Sequence, residues 1–152
     1  MKLCEILDPS CIKLGLESED KQELFEEMLH LILGSGKVID RDQALDDLLE
    51  REARMSTGIE NGIAIPHCKT AGVTTLVAAL GTSPKGIDYN ALDGKPVHLV
   101  IMTIATLGNP GAHVAALAAI ARLMNIPGFA LKLIQARTPA EIMDLILEEE
   151  KK

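Results

Sequence analysis

The chain predicts an α/β fold in three layers, residues 1–152 forming one domain with helices on both sides of buried strands. Three observations lead there. Capped amphipathic helix patterns occupy both ends of the sequence. Between them run apolar, β-branched segments without the polar alternation of a sheet wetted on one face. With 152 residues, 47% of them hydrophobic, the chain can bury a continuous core.

The first helix starts at Asp20, an N-cap with Glu23 in the box position, and sets Leu24, Phe25, Met28, Leu29 and Ile32 at helical spacing. Gly34-Ser35-Gly36 stops it. The second starts at Asp40, with Gln43 in the box position, carries Ala44, Leu45, Leu48 and Leu49 on one face, and runs to about Arg54. Arg51 falls in its last turn. The strands are GIAIPH, TTLVAALG and PVHLVIMTIA, with the turn-rich SPKGIDYNALDGKP between the last two. A third helix follows Asn109 as N-cap and has Pro110 at its first position, where the missing N–H costs nothing. A short helix over FALKLIQA and a terminal one from Thr138, with Pro139 first and Glu141 closing the box, complete the chain.

Composition excludes several functions. A formal charge of -7, with one Tyr, two Phe and no Trp, argues against nucleic-acid binding, which needs a basic surface and stacking rings. Residues 96–121 carry no charged side chain, yet Gly108-Asn109-Pro110-Gly111 breaks the run, so a strand, turn and helix explain it better than a membrane span. The N-terminus MKLCEILDPS has acidic residues where a secretory signal would have its apolar core, which points to the cytoplasm. Three cysteines without a CxxC pair point to reduced thiols.

The chemistry centres on STGIENGIAIPHCK, residues 56–69. His67 suits a nucleophile near neutral pH, because an imidazole of ordinary pKa near ~6.5 keeps a nitrogen lone pair available. Pro66 fixes its own φ and favours extended backbone at Ile65, so the ring is aimed. Gly58 and Gly62 would let main chain approach a bound group, and backbone N–H groups around them could form an anion-binding concavity. Arg51 offers a guanidinium fork. His113, in a first helical turn, would add a ring nitrogen beside unsatisfied N–H groups. Together these suit a phosphoryl group of roughly two negative charges. Each also has a plainer reading: a hydrogen-bonded structural histidine at 67, a helix N-terminal residue at 113, and a complement to the helix dipole at 51. His30 and His98 read as structural. His67, Cys68 and His113 are zinc-ligand types, but neighbours on extended chain point to opposite sides, and no metal or cofactor is expected.

RExxxSTGIxNGIAIPHxK, from Arg51 to Lys69, resembles the signature of the enzyme IIA domains in the fructose, mannitol and nitrogen-regulatory branch of the bacterial phosphoenolpyruvate-dependent phosphotransferase system. The likeness continues through SPKGIDYNALDGKPVHLVIMTI, HVAALAAIARLM and ARTPAEIMDLI. It implies a sandwich around a mixed sheet and a phosphotransferase activity with a phosphohistidine intermediate. A histidine phosphocarrier protein would donate to the outer nitrogen of His67, with His113 and Arg51 in support. An enzyme IIB partner would then receive the group for sugar uptake. The inner nitrogen of His67 is expected on a backbone carbonyl. The alternative is a nitrogen-type regulator whose phosphorylation state controls binding to other proteins, toward which a domain without attached IIB or membrane segments leans. Glu60, where many relatives have glycine, should point outward or pair with a cation.

Overall fold

The computed structural model describes residues 1–152. A 3-10 turn (Leu3–Glu5) leads into β1 (Leu7–Leu14), α1 (Lys21–Leu33) and α2 (Arg41–Arg54). A second 3-10 turn (Glu60–Gly62) precedes β2 (Ile63–Ala64) and β3 (His67–Thr70). Then come β4 (Val77–Ile87), β5 (Val97–Thr106), α3 (Pro110–Met124), α4 (Phe129–Gln135) and α5 (Pro139–Glu150).

The sheet is mixed. β1 pairs parallel to β4, β4 antiparallel to β5, and both β2 and β3 parallel to β5. The short strands are thus two halves of one edge, interrupted at Ile65-Pro66, where proline has no N–H for a ladder. α1 and α2 pack on each other over β1, β4 and β3, while α3 and α4 pack on each other over β4 and β5 on the other face. α5 covers β1 beside the N-terminal turn. β4 and β5, enclosed by both layers, are almost wholly buried, as their uninterrupted apolar runs require. A cluster of 36 buried residues forms the main core.

The N-caps act as their spacing predicts, but the boxes do not close on the cap amides: Glu23 accepts from Glu19, Glu141 from Arg137, and Gln43 donates to Asp47. Asp20 accepts from the Glu23 amide at 2.9 Å, Asp40 from Gln43 at 3.0 Å, Asn109 from Ala112 at 3.2 Å and Thr138 from Glu141 at 3.1 Å. One segment was not anticipated and another departs from the sequence expectation. β1 is an edge strand across Asp8-Pro9-Ser10, a string that reads as a turn; Asp8 holds the Ser10 amide and hydroxyl, and the pairing register with β4 shifts between Leu7 and Ile12. An edge tolerates such a bulge and its proline. Likewise Ser83-Pro84-Lys85-Gly86, expected as a turn, is a bulge: pairing with β5 shifts register between Thr82 and Ile87 and resumes at Ile87–Val97. Gly86 takes φ 87°, a left-handed conformation suited to glycine.

Residues 96–121 are strand, turn and helix, and no single helix in the chain is long and apolar enough to cross a membrane.

Candidate functional site

The break between β2 and β3 sets the direction of His67. The Pro66 carbonyl accepts from Thr103 at 3.1 Å, which docks the chain on β5 as β3 begins. The carbonyl of Ile65 lies 2.7 Å from His67 Nδ1. A carbonyl only accepts, so Nδ1 carries the proton and the neutral ring keeps its lone pair on Nε2. Cys68 is buried beside the same cleft, its sulfur 4.0 Å from the Ala44 carbonyl of α2, and burial pushes the thiol up to about 12. No group of three His, Cys, Asp or Glu side chains is placed to hold a metal ion.

His113 stands in the first turn of α3 with its ring centroid 5.5 Å from that of His67. Its Nδ1 is buried without a hydrogen-bond partner. Arg51, in the last turn of α2, donates from one Nη to the Met55 carbonyl at 3.2 Å and pairs with no carboxylate. The three predicted residues meet at one cleft of about 420 Å³. Arg54 and Lys69 also line it, with Asp47, Glu50, Cys68 and Leu107. Arg54 contacts Glu50 at 3.4 Å, an exposed pair worth little.

Arg54 and Lys69 were absent from the sequence reading, although spacing carried a signal for both. Lys69 is two residues past His67 on extended chain and so shares its side, and Arg54 is three past Arg51 on a helix. Two expected donors do not serve the cleft. The amides of Thr57, Gly58 and Ile59 bond to Glu52 on α2, Ser56 in the loop and Ile63 at the start of β2. At the start of α3, Asn109 takes the Ala112 amide, and both residues line a different cavity; His113 alone brings that turn to the cleft.

The glycines, too, serve packing. A Cβ on Gly58 would lie 2.6 Å from Ala91 Cβ, and one on Gly62, where φ is 77°, 3.1 Å from His98 Cδ2. They let the loop lie on the 89–98 segment. His98 bonds through Nδ1 to the Ser83 carbonyl at 2.8 Å, and His30 faces solvent on α1, both outside the cleft as read. Glu60 is exposed and does not line the cleft.

Burial lowers both ring pKa values below the ordinary 6.5. For His67 the bond to Ile65 opposes this and the Arg51 charge adds to it. For His113 the further causes are His67, Lys69 and Arg51. Below 6.5 the unfolded chain then binds more protons than the folded one, so stability is lost as pH falls through that window and is retained above it. Following the ring C2 protons by NMR should give midpoints under 6.5 for both histidines, and the urea midpoint should be lower at pH 5.5 than at pH 7.5. Midpoints at or above 6.5 would contradict the burial described.

Among known proteins this architecture is that of a phosphotransferase-system component. The chain belongs to the family described as phosphoenolpyruvate-dependent sugar phosphotransferase system, EIIA 2, whose model matches residues 5–149. It is 40% identical over 151 residues to the fructose-specific EIIABC component of Bacillus subtilis, covering 99% of this chain but only 24% of that protein. The fructose-specific EIIA component of Haloferax volcanii is 37% identical over 128 residues, 84% of this chain and 83% of that one. Among solved structures, the nitrogen regulatory protein IIA-Ntr of Neisseria meningitidis superposes with a TM-score of 0.81 at 28% identity, covering 95% and 98% of the two chains. Enzyme IIA domains are phosphoryl-transfer proteins.

Proposed function

We propose that residues 1–152 act as one phosphoryl carrier of the phosphoenolpyruvate-dependent phosphotransferase system. His67 accepts the group from the histidine phosphocarrier protein and passes it to an enzyme IIB partner for sugar uptake. The observation that carries this is the 2.7 Å contact between His67 Nδ1 and the Ile65 carbonyl, which leaves Nε2 unprotonated at a cleft lined by Arg51, Arg54 and Lys69. Nε2 attacks phosphorus in line; its lone pair forms the new N–P bond while the donor's P–N bond breaks and returns an electron pair to the donor ring. No proton need leave His67, since Nε2 carries none. Arg51 and His113 hold the transferring oxygens, and catalysis consists mainly of positioning and charge stabilisation. The fructose-specific names of the relatives at 40% and 37% identity favour transport.

Incubation with the phosphocarrier, its kinase and phosphoenolpyruvate labelled in its phosphoryl group should label the wild type, and an unlabelled wild type would sink the proposal. Arg51→Ala should slow the initial rate by roughly 10²–10³-fold, the usual effect of removing one stabilising donor. An unchanged rate would take Arg51 out of the mechanism.

A second reading, regulation, rests on the likeness to the Neisseria nitrogen regulatory protein over nearly the whole of both chains. A phosphoryl group adds close to two negative charges to a cationic cleft and would change what docks over it. His67→Asp and His67→Ala should then capture different protein sets. Identical sets would exclude a switch read through charge.

A further inference from the structure

A chain of hydrogen bonds runs from the interior to the His67 ring. α2 puts Ala44, Leu48 and Glu52 into the core at four-residue spacing, so a carboxylate occupies the next place in an apolar stripe and is only 6% exposed. Such a group costs stability unless its acceptor sites are used. They are used: Oε1 accepts from the Thr57 amide at 2.8 Å and lies 3.1 Å from Lys21 Nζ, and Oε2 is 2.6 Å from Thr57 Oγ1. The Thr57 hydroxyl proton is directed to the carboxylate, so Tyr89 Oη, 2.7 Å from Thr57 Oγ1, must be the donor in that contact. Lys21 also sits 4.7 Å over the Tyr89 ring, which meets Phe25 edge-on.

Thr57, held by its amide and its hydroxyl, presents its carbonyl to the Ile65 amide at 3.0 Å. Ile65 in turn presents its carbonyl to His67 Nδ1. We propose that Glu52 and Thr57 are positioning residues for His67: the carboxylate orients Thr57, Thr57 orients Ile65, and the Ile65 carbonyl fixes the tautomer and direction of the ring. Lys21 and Tyr89 complete the clamp. The inference rests on His67 being the phosphoryl acceptor, but it can be tested without phosphorylation.

The test reads the His67 ring directly by ¹⁵N–¹H correlation in the full chain, with the labelling rate measured in parallel. Wild type should show Nδ1 protonated. Glu52→Gln offers one acceptor oxygen in place of two and no charge for Lys21, and should bring in the Nε2-protonated tautomer and cut the labelling rate at least tenfold. Thr57→Val, which removes only the hydroxyl bonds, should shift the ring the same way, and Thr57→Ser, which restores them, should return it toward wild type. The Thr57 pair carries the test if Glu52→Gln does not fold. A structural role alone would lower the unfolding midpoint of these variants and leave the ring tautomer as in wild type, and that result overturns the inference. Wild type that shows the Nδ1 tautomer but takes no label would instead remove the acceptor role of His67, leaving the positioning result to stand or fall on the ring spectra.

Discussion

His67→Ala should take no label from the phosphocarrier, with incorporation at the level of a reaction lacking the protein. The variant removes the one ring at the cleft whose free nitrogen is defined by a backbone bond, and it removes little else. His67 is half-buried, and its only side-chain hydrogen bond is the one to Ile65. Losing such a bond costs about 1 kcal/mol. The variant should therefore fold, and intact circular dichroism beside absent label would assign the loss to chemistry. It should also be less sensitive to acid than wild type, because one ring whose pKa is lowered by burial has been deleted. Label retained by His67→Ala would move the acceptor elsewhere, and His113, 5.5 Å away, would be the first place to look.

Gly58→Ala should be the most damaging conservative change in the loop. Its Cβ would stand 2.6 Å from Ala91 Cβ, 2.8 Å from Tyr89 Cδ1 and 2.9 Å from Ala91 Cα. One of these atoms is main chain and another belongs to the ring clamped by Lys21 and Phe25, so neither can swing aside as the end of a flexible side chain would. Overpacking of this kind costs about 1–3 kcal/mol, or a melting temperature lower by roughly 3–10 °C for a chain of this size. The shift that relieves it would strain the Leu92 amide bond to the Gly58 carbonyl, 3.1 Å, and with it the loop leading to His67. Slower labelling should accompany the lower melting temperature, measured by calorimetry. An unchanged melting temperature would mean that the loop does not press on the 89–91 segment as described.

Much of the fold was legible because its signals are local. Asp20, Asp40, Asn109 and Thr138 announce helix starts by residue type and spacing, and each accepts the amide three residues on. The apolar runs of β4 and β5 announce strands covered on both faces. β1 was not legible: Asp8-Pro9-Ser10 favours a turn locally, and only pairing with β4, far along the chain, holds it extended. Ser83–Gly86 misled for the same reason, since turn residues within a strand mark a bulge as readily as an end. Glu52 carries a local signal, a carboxylate four residues past Leu48 on the buried stripe, but its partners Lys21 and Thr57, and Tyr89 bonded to Thr57, come from three other segments.

By itself the sequence determined the helices, the buried strands and the pairing of a proline with a histidine that makes His67 a chemical candidate. It also carried the family likeness and supplied Arg51 and His113 as residue types suited to a phosphoryl group. The tertiary structure alone decided that the loop glycines and amides serve packing, that the Ala112 amide at the start of α3 is spent on its own cap, and that Arg54 and Lys69 join the cleft. The reason is physical: spacing along the chain reports which side chains share a face. Which faces meet depends on strand pairings and helix docking, here β3 beside β5 and α3 over it, settled by burying surface from distant segments together.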